Sequence, residues 1–422
     1  GATVDTLYDL ASNTKMYSVN YAIQYLVTQG MLTTDMKVSY ILGPDFADDT
    51  IDIKYDDYPD PGPDINKKWK NEITVKDLLC HQAGFPADPQ YNKPKFDQEA
   101  QEYETDKDNI LFAGNDCSEK TRQNTLKTIF RTPLMYEPGT KTLYSDVDYM
   151  LLGFIVEKVT GERLDTFCDE TFYAPLGLTK ITFNPLLHGF TKEDCAATEL
   201  NGNTRDGNIY FDGIRKDTVQ GEVHDEKAWY CMGGISGHAG LFSNAEDLAK
   251  LASVMITGGY GNDGFFSEKV IEKFTSAADS SNTEYGLGWW RQGNNENSAY
   301  FSDLAPSDTV GHEGWTGTLT MIDRKNDLVI VLLTNKRNTK ITDPSKNLNI
   351  FDGNWYTTAS LNFVPQLIYQ GMKEDAEEKN TEWLNKRVEE LHSKSEKYSS
   401  IDGHPVMKAY KAIKTVKDQR NK

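Results

Sequence analysis

From residue 16 onward, apolar side chains return at intervals of three and four, at Met16, Val19, Ile23 and Leu26, and Gly30 follows. This spacing predicts a helix with one buried face, stopped by a glycine that can turn left-handed. ITVKDLLCHQAG (73–84) predicts a short amphipathic helix closed by Gly84. LYSDVDYMLLGFIVEKVTG (143–161) turns helical at about Asp146, with Met150, Phe154, Val156 and Val159 in its buried stripe and Gly161 as its stop. In NAEDLAKLASVMITGG (244–259), Asn244 reads as an N-cap and Asp247 as the third-position acid of a capping box. Residues 43–68, rich in Asp, Pro and Gly, predict a loop, and 87–120 a polar excursion.

The period changes late in the chain. YGLGWW (285–290), HEGWTGTLTMIDR (312–324) and DLVIVLLTN (327–335) alternate or run apolar with β-branched residues, and each predicts a strand. An Arg-Lys-Asn-Asp turn joins the last two into an antiparallel hairpin, which a helix near 358–372 should cover. The tail, 373–422, is highly charged, with helical periodicity around Trp383, Val388 and Leu391. Helices first and an antiparallel sheet afterwards predict an α+β fold with the first helix packed on the sheet.

Composition narrows the function. The 422 residues are 38% hydrophobic, enough for a large core, and carry a net charge of -19. Such acidity repels nucleic acid and anionic lipid, so no nucleic-acid partner is expected. No apolar run reaches the roughly 18 residues a membrane span needs. Five scattered cysteines (Cys80, Cys117, Cys168, Cys195, Cys231) form neither a CxxC pair nor a zinc spacing, and read mainly as free thiols.

Three short patterns carry chemistry. Ser12 and Lys15 stand three apart at the helix start, where a lysine of lowered pKa can accept a serine proton and backbone N–H groups can hold an oxyanion. Taken alone, the pair equally describes an N-cap and a solvated lysine. Tyr144-Ser145-Asp146 follows the turn Glu137-Pro138-Gly139; beside a lysine, a tyrosine can act as phenolate base, and otherwise it is a core aromatic. His312-Glu313-Gly314 opens the late hairpin, where Gly314 permits close approach to the strand and the Trp315 N–H can complete an oxyanion hole.

In combination, the order Ser-x-x-Lys, Tyr-Ser-Asp, His-x-Gly resembles that of serine β-lactamases and penicillin-binding D,D-peptidases. LYDLASNTK, ITVKDLLCHQAGFPADP, YSDVDYMLLGFIVEKVTG, VHDEKAWYCMGGISGHAGLFSNAEDLAKLA and VGHEGWTGT resemble the class C-like branch, most of all penicillin-binding proteins of the 4B type, over roughly residues 3–372. The resemblance implies an antiparallel sheet flanked by helices plus an all-helical subdomain. Residues 1–372 would form the hydrolase domain, with a helical part at roughly 17–235 and a sheet part at roughly 1–16 and 236–372; 373–422 would be a charged helical extension. It implies Ser12 as the acylated nucleophile, Lys15 as its activator and Tyr144 as general base. Asp146, His312, Gly314 and Trp315 would bind substrate and oxyanion. The implied activity is a D-alanyl-D-alanine carboxypeptidase on peptidoglycan stem peptides, open also to β-lactams, without metal or cofactor, and extracytoplasmic. An esterase, a weak β-lactamase or a catalytically silent penicillin-binding sensor are the alternatives.

Three departures qualify this. Asp146 replaces the usual Asn, and His312 the usual Lys, which weakens carboxylate binding at neutral pH and favours a peptidase or esterase over an efficient β-lactamase. Only eleven residues precede Ser12, where relatives have some tens forming a helix and the first strands, so those strands are expected on a preceding segment. Other patterns weigh less. The GxGxxG at 259–264 follows a helix, against a dinucleotide site. His224-Asp225-Glu226 is a weak metal candidate, and His238 reads as a structural histidine near the cleft.

Overall fold

The first apolar stripe forms a helix that runs through the middle of the protein. In this computed structural model, which describes residues 1–103, 105–260, 263–280, 283–357, 360–372, 376–400 and 403–420, a π-helical turn at Lys15–Asn20 continues into α1 (Tyr21–Thr28). All six residues of the opening turn are buried, where the pattern predicted one buried face. Sheet and helices enclose it on several sides, so even Lys15, Ser18 and Asn20 are covered.

α2 (Val75–Leu79) starts at a reciprocal Thr74–Asp77 capping box. α3 (Asp146–Thr160) is capped by Ser145, whose hydroxyl accepts the Val147 N–H, and ends at left-handed Gly161. α4 (Ala245–Thr257) is capped by Asn244 as expected, but without the capping box. The Asp247 carboxylate instead accepts the Thr179 and Lys180 N–H groups, tethering the loop before a strand. The 43–68 segment is partly helical, at Asp45–Asp48 and Pro63–Glu72. Apolar periodicity missed the second of these because it buries Asn66 and Lys70, the lysine donating to carbonyls of Ile129 and Thr132.

β1 (Tyr8–Asp9), β2 (Ile181–Phe183) and β3 (Leu241–Ser243) make a small antiparallel sheet in the order β1-β3-β2. The main sheet is β7-β6-β5-β4, all antiparallel, from β4 (Trp290–Arg291), β5 (Val310–Gly314), β6 (Thr318–Asp323) and β7 (Leu328–Leu333). The expected hairpin is β6–β7. The run 312–324, read as one strand, folds back at Trp315–Gly317, where the Gly317 N–H donates to Gly314 O at 2.9 Å. Of YGLGWW, only Trp290 enters a strand, bridged back to Tyr285.

Alternation along β6 divides its work. Leu319 and Met321 join Phe301, Ile330, Leu361 and Tyr369 in one core, while Ile322 joins the main core containing α1. α5 (Phe363–Gly371) covers the sheet as predicted, its Tyr369 hydroxyl donating to Asp323 at 2.8 Å; residues 358 and 359 of that expectation lie outside the described residues. α6 (Ala376–Glu396) and α7 (Pro405–Arg420) share a core of Leu384, Leu391, Ala409 and Ile413 that packs on Trp355 and Phe363.

Gly259–Tyr260 pairs antiparallel with Asp263–Gly264, a turn unlike a dinucleotide loop; Gly261 and Asn262 lie outside the described residues. All five cysteines are free thiols. Among the described residues no helix is long and apolar enough to cross a membrane.

Candidate active site

Three threonines of one strand and its turn place the segment before α1. Thr316 donates to Asp9 O at 2.7 Å, Thr318 to Leu10 O at 2.9 Å and Thr320 to Asn13 Oδ1 at 2.7 Å, while Asn13 Nδ2 donates back to Thr318 at 3.0 Å. Each buried bond contributes about 1 kcal/mol, and together they fix the register of residues 9–13 against the sheet. Ala11 is held at φ 47°, its N–H donating to Asp9 Oδ1 at 2.8 Å. A left-handed alanine is uncommon, and the surrounding bonds over-determine it immediately before Ser12.

Gly314 completes this placement. A Cβ there would lie 2.3 Å from Leu10 O and 2.2 Å from Thr318 Oγ1. The sequence suggested a glycine that lets a ligand approach; what approaches is the protein's own backbone beside Ser12. Neither the Ser12 nor the Trp315 N–H has a hydrogen-bond partner among the described residues. The two donors remain unspent on neighbouring segments, as an oxyanion site requires.

Lys15 is wholly buried and donates to Ser12 Oγ at 2.9 Å, Asp146 Oδ1 at 2.9 Å and His238 O at 3.2 Å. Burial alone would lower its pKa, but Asp146 and Tyr144 outweigh burial and raise it. The lysine of lowered pKa expected from sequence is therefore a charged ammonium with three acceptors. Ser12 does not cap the helix through its side chain; its hydroxyl receives the ammonium.

Tyr144 is half-buried against this group. The Lys15 ammonium lies 4.8 Å from its ring centroid, His81 stacks at 4.4 Å and His312 sits at 6.1 Å. Burial raises the Tyr144 pKa more than Lys15 and Ser12 lower it, so the resting phenol is neutral, against the expected phenolate. His81 belongs to a second buried pair, its Nδ1 3.0 Å from Asp148 Oδ2. Burial drives the His81 pKa far down and the Asp148 pKa far up, so both are uncharged.

Asp146 was expected to face substrate. Instead its Oδ1 accepts Lys15 and its Oδ2 accepts Lys227 at 3.2 Å, and these cations hold its pKa well below the carboxylate range despite burial. Lys227 also pairs with Asp88. Asp225 accepts His238 Nε2 at 2.7 Å, and Ser236 meets His238 Nδ1 at 2.7 Å, fixing the loop whose carbonyl receives Lys15. His238 thus has the structural place expected of it. Asp146, Asp225 and His238 lie close enough to hold a cation, their ligand atoms within 4.8 Å of one another, but lysine ammoniums already occupy both Asp146 oxygens. His224 turns away to Glu199, at 2.7 Å, which dissolves the 224–226 metal candidate.

His312 also departs from expectation. It is fully buried, its Nδ1–H donating to Glu313 O at 2.6 Å, and burial beside Lys15 lowers its pKa to about 3. It is a neutral wall of the site, its ring tilted against Trp290 at 4.8 Å, and not a charged donor at the mouth. Lys227, Asp88, Trp290 and the His81–Asp148 pair carry no short motif and escaped the sequence reading.

A serine at the start of a helix, with a buried lysine three residues on and a tyrosine from another helix start, defines a serine hydrolase of the β-lactamase type. A profile described as Beta-lactamase matches residues 1–354, and the chain belongs to that family. It is 47% identical over 374 residues to an Escherichia coli K12 protein named "Putative D-alanyl-D-alanine carboxypeptidase", covering 88% of this chain and 79% of that one. A Salmonella typhimurium protein of the same name is 45% identical over 373 residues, with the same coverage. Among solved structures, simvastatin synthase (LovD) of Aspergillus terreus aligns with TM-score 0.57 at 18% identity, covering 88% of this chain and 86% of that one. A penicillin-binding protein homologue from Caulobacter crescentus aligns with TM-score 0.53 at 19% identity, covering 85% and 83%. These two likenesses concern the fold.

Proposed function

We propose that this serine hydrolase is a D-alanyl-D-alanine carboxypeptidase that forms an acyl-enzyme at Ser12 and acts on cell-wall peptides outside the cytoplasm. The observation that carries the reading is the hydrogen bond from the Lys15 ammonium to Ser12 Oγ at 2.9 Å, beside Tyr144. The curated relatives' names favour the peptidase over an esterase or β-lactamase.

Lys15, kept charged by Asp146, stabilises negative charge developing on Ser12 Oγ and does not take its proton. Tyr144, neutral at rest, relays it: its oxygen accepts the Ser12 proton while its own O–H proton passes to the leaving nitrogen. Ser12 Oγ bonds to the carbonyl carbon, and the oxyanion lies between the Ser12 and Trp315 N–H groups. Collapse breaks the peptide bond and releases D-alanine; water then enters, giving its proton through Tyr144 to Ser12 as the acyl bond breaks.

Intact-mass analysis with a fluorescent penicillin tests the reading. One adduct per chain, absent in Ser12→Ala, is expected, together with D-alanine release from an acyl-D-Ala-D-Ala peptide. Failure of Ser12 to react with penicillin, fluorophosphonate and p-nitrophenyl ester alike would leave the silent sensor module as the reading.

A further inference from the structure

On the other side of Trp315 lies a cavity of about 480 Å³ that the Ser12 chemistry does not use. Its inner wall is Glu313 and Trp315 from the strand beside Ser12 and its turn, and Tyr300, whose ring meets Trp290 edge-to-face at 4.9 Å. Trp290 in turn stands 6.4 Å from Tyr144, so one aromatic row runs from the catalytic tyrosine to the cavity. The outer wall is α6, through Trp383, Lys386 and Arg387, so the tail closes it. A space of this size, with aromatic walls and many charged groups, suits a polar substrate portion of several heavy atoms.

Its charge is distinctive in so acidic a chain. Lys336, Arg337, Lys386 and Arg387 line it, against Asp303, Glu313 and Glu390. Arg387 is neutralised by Glu390 at 3.1 Å. Lys336, Arg337 and Lys386 have no carboxylate within 4.0 Å among the described residues. Arg337 is held rigidly, its Nε donating to Trp315 O at 2.8 Å and its Nη1 to Asn349 O and Asn354 Oδ1, each at 2.9 Å. Its guanidinium lies over the Trp315 ring at 3.6 Å, and its Nη2 has no hydrogen-bond partner among the described residues.

We infer that this tail-walled cavity is a substrate subsite for a carboxylate-bearing portion of the peptide, so that the 376–396 helix makes the enzyme selective for acidic substrates. This rests on the reading of Ser12 as nucleophile. Arg337 and Lys336 supply cations that no carboxylate among the described residues approaches within 4.0 Å. Burial depresses both their pKa values, Arg337 to about 9, a cost that an incoming anion would relieve. Glu313 attracts both cations, but not enough to outweigh their burial.

The test uses the full chain and two matched peptide pairs. N-succinyl-Gly-D-Ala-D-Ala against its N-acetyl analogue places the extra carboxylate on the acyl side. Acetyl-D-Ala-D-Glu against acetyl-D-Ala-D-Gln places it on the leaving side. We expect kcat/KM to favour the acidic member of one pair by about tenfold, with the preference fading at high salt. Lys336→Gln/Lys386→Gln, which leaves Arg337 alone, should cut the preference several-fold, the double arginine variant should restore it, and p-nitrophenyl acetate turnover should not change. Equal rates within both pairs, or a preference undiminished in the glutamine variant, would overturn the inference. If Ser12 reacts with p-nitrophenyl acetate in the same assay, such a result leaves the catalytic reading standing; if it does not, the catalytic reading itself has failed.

Discussion

The Lys15 ammonium sits 2.9 Å from Asp146 Oδ1, and that contact keeps a fully buried lysine charged beneath Ser12. Asp146→Asn removes the carboxylate shared by Lys15 and Lys227. Burial then dominates and the Lys15 pKa falls, so acylation of Ser12 should slow by about 10²-fold as one charge-assisted contact is lost. The variant should also lose about 3–5 kcal/mol of stability from the stranded Lys15 ammonium, Lys227 keeping its pair with Asp88. Burst kinetics with a p-nitrophenyl ester and chemical denaturation measure both. An unchanged acylation rate would reduce Asp146 to a spectator.

Tyr144 relays a proton in the proposed cycle as a neutral phenol. Between the depressed Asp146 pKa and the raised Lys15 and Tyr144 pKa values, no group of this trio titrates. The pH profile of kcat/KM should therefore be flat from about pH 6 to pH 9. A limb rising tenfold per pH unit through that range would instead assign a phenolate base. Tyr144→Phe, which keeps the ring and removes the relay, should lower turnover by about 10²–10⁴-fold.

Gly314 is fixed by the Leu10 carbonyl. Gly314→Ala puts a methyl group 2.3 Å from that oxygen, and since both sides are backbone, strand and nucleophile segment must separate. The expected result is a stability loss of about 1–3 kcal/mol, as for overpacking, with a larger fractional loss of acylation because Ser12 shifts from the Trp315 N–H. Unaltered melting and activity would show that the contact yields at no cost.

His312 couples stability to acid. Unfolded, it binds a proton below its ordinary value of 6.5; folded, it does so only near about 3. Between these limits the unfolded chain holds more protons, so stability rises with pH and is lost as pH falls through the window, by about 1.4 kcal/mol per pH unit. His312→Gln removes this dependence. The stability difference between native protein and variant should therefore change with that slope between pH 6 and pH 4 in denaturant titrations, and a constant difference would contradict a buried neutral histidine.

The α+β class, α3 with its Gly161 stop, α4 with its Asn244 cap, the β6–β7 hairpin and the covering helix were legible because each rests on local periodicity or a local cap. Pro63–Glu72 was not, because a lysine salvaged by carbonyl oxygens buries it, and hydropathy does not register such a partner. The turn at 315–317 hid inside one β-rich run, since period-two alternation does not reveal where a strand reverses.

The sequence by itself pointed to which residues meet: Ser12, Lys15 and Tyr144 stand out because their motif order resembles that of the β-lactamase family, and the structure brings them together. Only the tertiary structure decided their charge states. Lys15 is an ammonium because Asp146, 131 positions along, and Tyr144 outweigh its burial; Tyr144 is a neutral phenol because its burial outweighs Lys15; His312 is neutral because burial beside Lys15 disfavours its charge. Likewise Lys227, Asp88 and the tail-walled cavity depend on contacts between distant segments. Desolvation and Coulomb interaction are set by distance in space, and a one-dimensional pattern specifies residue types and local geometry but not that distance.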